Sequence, residues 1–199
     1  MIIVFDIGNV LVRWNPRNLF RKTMNDEARM ERFLAAALSM DFVSLTDIVA
    51  DFSQAVAERA RAFPEFAREL HLFDERWIET IGGPIEENVA LLRRLKGAGR
   101  PVYALSNFAT VKFALARQMF DFLNEFDHAV ISGHVGAAKP DRRIFEILFE
   151  RVGRQPQELL FIDDSLSNIE AARALGMPAI HFGPDIDLER ELAAHGALP

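Results

Sequence analysis

Five short runs rich in apolar residues punctuate the chain: Ile2 to Phe5, Val102 to Leu105, Ala129 to Ile131, Leu159 to Ile162 and Ala179 to Phe182. Runs of this length with little polar alternation suit strands buried on both faces, as in a parallel sheet. Between them, apolar residues recur at helical spacing over roughly Glu86 to Lys96, Thr110 to Met119, Asp141 to Val152 and Ser167 to Leu175. Strands alternating with helices of this length imply crossover connections. The pattern therefore predicts an α/β fold: a three-layer, doubly wound parallel sheet with helices on both faces.

One segment breaks the alternation. From Pro16 to Gly82 there is no strand signal, only helical stretches rich in Phe, Ala, Arg and Glu. It opens after Trp14-Asn15-Pro16 and closes at Gly82-Gly83-Pro84, which are turn-forming punctuation. Residues 1–15 and 83–199 thus read as the α/β core and residues 16–82 as a helical insert. Placed directly after the first strand, the insert reads as a cap over that strand's carboxyl end; an ordinary helical subdomain without a lid role fits equally well. Its aromatics (Phe20, Phe33, Phe42, Phe52, Phe63, Phe66, Phe73 and Trp77) read as core, the usual role of aromatics at helical spacing. Trp14 and Phe42 face either the substrate or the cap interface. Arg93, Arg94, Lys96 and Arg100 sit near a helix C-terminus, where the dipole favours cations, and read as a solvated face.

Composition narrows the function classes. The 199 residues are 50% hydrophobic and 26% charged, with a net charge of -6. That sign disfavours nucleic acid, whose affinity comes largely from Lys and Arg on phosphates. The absence of cysteine excludes disulfides, thiolate metal sites and cysteine nucleophiles. The N-terminal apolar run lacks a basic region and a small-residue cleavage site, and no stretch approaches the ~20 apolar residues of a membrane span. A cytoplasmic protein with no membrane partner is expected. No Gly-x-Gly-x-x-Gly or Walker-type loop follows any strand.

Polar residues interrupt the apolar runs where ligands of open α/β sheets bind, at the strands' carboxyl ends. Phe5-Asp6-Ile7-Gly8-Asn9-Val10 puts a carboxylate at the end of a buried strand, costly unless paired; an Asp that merely caps the turn is the alternative. Leu105-Ser106-Asn107 offers a hydroxyl and amides to phosphate oxygens, or else an N-cap for the helix from Thr110. Lys139-Pro140-Asp141 places a lysine at a helix N-terminus, where anions bind, or simply on the surface. Phe161-Ile162-Asp163-Asp164, followed by Asn168, sets two carboxylates side by side; they repel unless a cation intervenes, and Mg²⁺ prefers such oxygens.

Taken in this order, the four motifs resemble those of the haloacid dehalogenase-like superfamily, from Asp6 to Asn168. The insert lies where one branch of that family carries a helical cap, and the motif details are similar to the branch containing α-glucose-1-phosphatase and the phosphatase domains of epoxide hydrolases. The resemblance implies a Mg²⁺-dependent phosphatase acting on a small phosphorylated metabolite such as a sugar phosphate. It implies that Asp6 attacks phosphorus and forms an aspartyl-phosphate. Mg²⁺ would be held by Asp6, the Gly8 carbonyl and Asp164, with Asp163 and Asn168 supporting it from behind. Ser106, the Asn107 amide and Lys139 would grip the phosphoryl oxygens.

Two departures stand out. Most family phosphatases carry a second Asp, a general acid and base, where this chain has Gly8; such help is worth ~10²–10⁴-fold. The expectation is therefore a substrate with a good leaving group, such as an anomeric sugar phosphate or an acyl phosphate. In the cap, relatives often carry Gly-x-Ile-Ser where this chain reads Ser-Leu-Thr-Asp-Ile-Val-Ala-Asp from Ser44 to Asp51. Two other readings remain: a haloacid dehalogenase, whose aspartyl ester forms on carbon without metal, and a catalytically weak binding or regulatory member. The acidic pair Asp163-Asp164 counts against the dehalogenase.

Overall fold

The computed structural model describes residues 1–198. Five parallel strands form one sheet in the order β5-β4-β1-β6-β7, with β1 (Ile2–Phe5) in the middle. The others are β4 (Val102–Ser106), β5 (His128–Ile131), β6 (Leu159–Asp163) and β7 (Ala179–His181). Ile3 pairs with Val102 on one side and with Leu160 on the other. Side chains alternate across the sheet, as strand geometry requires. Ile3, Phe5, Ala104 and Ile162 face α6 (Glu86–Gly97), α7 (Thr110–Met119) and α11 (Leu188–Ala194). Val4, Tyr103, Leu105 and Phe161 face α9 (Arg142–Val152) and α10 (Leu166–Ala174). These are the three layers that the apolar runs imply.

Two strands escaped the sequence pattern. β2 (Val12–Trp14) and β3 (Ile81–Pro84) pair antiparallel as a separate ribbon. The closing segment Gly82-Gly83-Pro84 is thus a strand, not only a turn. Glycine and proline rarely signal a strand, but here neighbouring side chains crowd the position: a Cβ at Gly82 would lie 3.2 Å from Asn18 Nδ2 and 3.4 Å from Arg13 Cβ. The Arg13 guanidinium also donates to the Pro84 carbonyl.

Between these strands run α1 (Arg17–Phe20), α2 (Glu27–Ala36), α3 (Met40–Thr46), α4 (Phe52–Ala62) and α5 (Ala67–Glu75). The side chains of Asp26, Ser39 and Asp51 accept from the amides of Arg29, Phe42 and Gln54, which fixes the starts of α2, α3 and α4. Phe20 and Phe33 meet edge to face at 4.6 Å, and Phe66 packs beside them. Of the eight aromatics read as core, Phe63 alone is only partly buried, and Phe73 and Trp77 additionally reach a cleft above the sheet. Phe42 does not; it packs under Arg59, while Trp14 does line the cleft. Lys112 of α7 joins this helical segment to the core, donating to Asp74 Oδ1 at 2.6 Å and lying 4.2 Å from the Phe52 ring centroid. No helix among the described residues is long and apolar enough to cross a membrane.

Candidate active site

Because β4, β1 and β6 are adjacent, their carboxyl ends bring Ser106, Asp6 and Asp163 to one place. Asp6 Oδ1 accepts from the Ile7 amide at 2.7 Å and from the Ser106 hydroxyl at 2.6 Å, and Lys139 Nζ lies 2.8 Å away. Three donors on one oxygen pin the carboxylate. Oδ2 has no such partner; since no buried side-chain N or O among the described residues is unsatisfied, Oδ2 is open to the cleft. Asp6 is more than a turn cap.

The Lys139 side chain is 1% exposed. Its ammonium also bonds Asp163 Oδ2 at 2.6 Å and the Leu105 carbonyl at 2.9 Å. Asp163 is fully buried, and its oxygens are spent on Lys139, the Ser165 amide and Asn168 Nδ2. Asn107 clasps the lysine's main chain: its Oδ1 accepts from Lys139 N at 2.8 Å and its Nδ2 donates to Lys139 O at 2.9 Å. Two expectations change here. Lys139 does not stand at a helix N-terminus, because α9 starts at Arg142 with Asp141 as its capping side chain; the lysine acts through its own buried charge. Neither Ser106 nor Asn107 caps α7, whose N-cap position is Ala109.

Asp164 approaches from the next loop. Asn9 Nδ2 donates to its Oδ2 at 3.1 Å, and His181 Nε2 lies 3.0 Å from its carbonyl oxygen. Asn9 has a left-handed backbone with φ 52°, a conformation Asn tolerates better than most residues. Its Oδ1 accepts from Trp14 N, so one side chain ties Asp164 to the ribbon. Gly8 lines the same cleft, and a Cβ there would meet nothing within 4 Å.

Electrostatics give this cluster its character. Oxygens of Asp6, Asp163 and Asp164 all lie within 4.8 Å of one another. Burial pushes the Asp6 carboxyl up to about 7, opposed by Lys139 and reinforced by Asp163. Burial likewise raises Asp164, although the Asn9 hydrogen bond pulls it down. Burial alone would depress Lys139, but attraction to Asp6 and Asp163 outweighs it and holds the ammonium above its ordinary value. Three carboxylates against one ammonium leave two excess negative charges when all are ionised. A divalent cation that prefers oxygen ligands fits that excess and that donor set.

Above the cluster is a cleft of about 330 Å³. Asp6, Gly8, Asn107, Lys139 and Asp164 form its polar end, while Trp14, Met40, Val43, Phe73, Trp77 and Phe108 supply apolar walls. Asn9 and Asp47, which also line it, were not singled out from sequence. Asn9 sits inside the first motif and could have been found; nothing local marks Asp47.

Comparison with known proteins places this geometry in context. A family model described as haloacid dehalogenase-like hydrolase matches residues 1–176. The chain is 26% identical over 185 residues to sesquiterpene phosphatase astK of Aspergillus oryzae, covering 90% of this chain and 88% of that one. It is 27% identical to drimenol cyclase drtB of Aspergillus calidoustus, but spans only 35% of that longer protein. A HAD family enzyme from Bacteroides thetaiotaomicron, crystallised with magnesium and inorganic phosphate as an Asp-to-Ala mutant, superposes with a TM-score of 0.72 at 21% identity, covering 95% of this chain and 97% of that one. A HAD phosphatase from Thermococcus onnurineus superposes at 0.68 with 22% identity, covering 99% and 98%. The chain belongs to the haloacid dehalogenase-like hydrolase family.

Proposed function

We propose that this protein is a Mg²⁺-dependent phosphoric monoester hydrolase that works through an aspartyl-phosphate on Asp6. The observation that carries the reading is the pinned Asp6: one oxygen held by three donors, the other open to a cleft that also holds Lys139 and Asp164. Such a carboxylate is oriented for in-line attack. Lys139 lies beside it, where its charge would offset negative charge on the equatorial phosphoryl oxygens, and the Ser106 hydroxyl, which donates to Asp6 Oδ1, would hold the attacking carboxylate. Asp6, the Gly8 carbonyl and Asp164 would hold the cation, which supplies charge neutralisation at the phosphoryl group. Asp163 and Asn168 keep Lys139 aimed. The magnesium and phosphate bound by the Bacteroides relative, and the phosphatases among the relatives, support the same reading.

In this reading residues 16–82 form a cap whose movement admits substrate and excludes water. The apolar walls, Trp14, Val43, Phe73, Trp77 and Phe108, suit a phosphate ester with an apolar organic part, while Ser44, Thr46 and Asp47 are the groups of the helical segment that offer partners to a hydroxyl. The test is hydrolysis of para-nitrophenyl phosphate, a prenyl or long-alkyl monophosphate, glucose 1-phosphate and glucose 6-phosphate, with and without Mg²⁺. Metal-dependent turnover, lost in Asp6→Asn and fastest on the apolar esters, is expected. Chloride release from 2-chloropropionate without metal, or turnover undiminished by Asp6→Asn, would overturn the reading.

A further inference from the structure

We infer that Asp47, reaching the cleft from the helical segment, donates the proton to the leaving oxygen and later accepts one from the attacking water, standing in for the carboxyl that Gly8 lacks. The inference rests on the phosphatase reading above. Asp47 directly follows α3 and lines the same cleft as Asp6, Gly8 and Lys139. The carboxylates lining that cleft are Asp6, Asp47 and Asp164. Asp6 is the attacking group and Asp164 is oriented by Asn9 beside it, so Asp47 is the one with no other task.

Its position is set by the core, although it belongs to the helical segment. Ser132, fully buried after β5, donates its hydroxyl to the Asp47 carbonyl at 2.8 Å. The Ser132 hydroxyl oxygen in turn accepts from the Phe108 amide at 2.8 Å, two residues beyond Ser106. The Ala109 amide lies near enough to the Asp47 carboxyl to favour its ionised form. Residues just after β4 and β5, at the carboxyl end of the sheet, thus hold this residue over the site. Meanwhile the space beside Gly8 is open, so nothing in the core fills the role from below.

The environment suits the task. Burial pushes the Asp47 carboxyl up to about 7, with the Ala109 amide opposing, the charge of Asp6 reinforcing, and Lys139 opposing. A carboxyl poised there is protonated often enough near neutrality to act as an acid and basic enough to act in return. In the first step an Asp6 oxygen bonds to phosphorus and the bond from phosphorus to the leaving oxygen breaks. The leaving oxygen keeps the electron pair and takes the Asp47 proton, so an alcohol departs and Asp47 becomes a carboxylate. In the second, water bonds to phosphorus, Asp47 takes a water proton, and the bond to Asp6 breaks. Phosphate leaves, with both carboxyls restored.

The test compares kcat/KM for an alkyl phosphate, whose alcohol leaves poorly unprotonated, and para-nitrophenyl phosphate, whose phenolate leaves readily. Asp47→Asn should lower the first by ~10²-fold or more and the second by less than ~10-fold. With para-nitrophenyl phosphate the variant should also release a burst of nitrophenol matching the enzyme concentration, because hydrolysis of the aspartyl-phosphate lags. Adding Gly8→Asp to Asp47→Asn should recover much of the alkyl-phosphate rate. Equal losses on both esters, no loss, or no recovery would overturn the inference. A measurement on the unaltered protein guards against a folding defect: across aryl and alkyl phosphates, kcat/KM should depend only weakly on leaving-group acidity. A steep dependence would also overturn it. Failure of the unaltered protein to hydrolyse either ester would instead overturn the phosphatase reading beneath it.

Discussion

Replacing Asp6 by Asn should make the metal-free protein more stable at pH 8, while removing its turnover. Burial, reinforced by Asp163 and only partly offset by Lys139 and Ser106, lifts this carboxyl from 3.8 to about 7. A raised folded value means that ionisation disfavours the folded state. The cost is absent below about 3.8, grows as pH rises, and levels off above about 7. Each pH unit between the two values costs about 1.36 kcal/mol, so the ionised carboxylate costs the fold about 4 kcal/mol at pH 8 and less than about 1 kcal/mol at pH 4. Asn cannot ionise, keeps the shape, and leaves Lys139 paired with Asp163. Urea unfolding in a chelator at several pH values would read the difference directly. Asp6→Asn should gain stability over the parent chain at pH 8, and the gain should shrink steadily towards pH 4. Adding Mg²⁺ should stabilise the parent more than the variant and narrow the gap. A gap that is absent at pH 8, or one that is the same at both extremes, would refute the claim that buried, excess negative charge is what the site stores.

Two further substitutions probe the surroundings. Lys139→Met should abolish turnover and destabilise the fold by about 3–5 kcal/mol, because Asp6 and Asp163 lose the one ammonium between them; urea unfolding with and without Mg²⁺ would show it, with the metal recovering part of the loss. Lys112→Ala should cost about 2 kcal/mol, discounted for the partial exposure of Asp74, and should raise KM by loosening the contact between the helical segment and α7; an unchanged KM would mean that this contact does not position the cleft.

The sheet was legible because buried parallel strands write themselves as apolar runs. β1 matches Ile2 to Phe5, and the others differ from their runs by a residue at one end. The site's core-derived residues were legible for a related reason. Asp6, Ser106 and Asp163 each close or follow such a run, so strand adjacency alone brings them together. The motif around Lys139 is legible too, but its surroundings are not. Sequence offered a helix N-terminus, whereas the structure buries the ammonium among carboxylates and leaves Asp141 to begin the helix.

What stayed hidden depends on contacts between distant parts of the chain. The β2–β3 ribbon joins residues some seventy positions apart through backbone pairing, and its Gly-Gly-Pro sequence carries no strand signature. Asp47 is the sharper case. Alone it is an unremarkable Asp at the end of a short helix; its half-buried position at the cleft comes from Ser132, whose hydroxyl holds its carbonyl. No local pattern encodes any of these. The missing second carboxyl at Gly8 is legible in the sequence, where it points to a substrate with a good leaving group; in the structure Asp47, lining the same cleft as Asp6, is the carboxyl we assign to its place. A departure from a motif thus carries information of its own, because a chemical need unmet locally is met either across the fold or by the substrate's own leaving group.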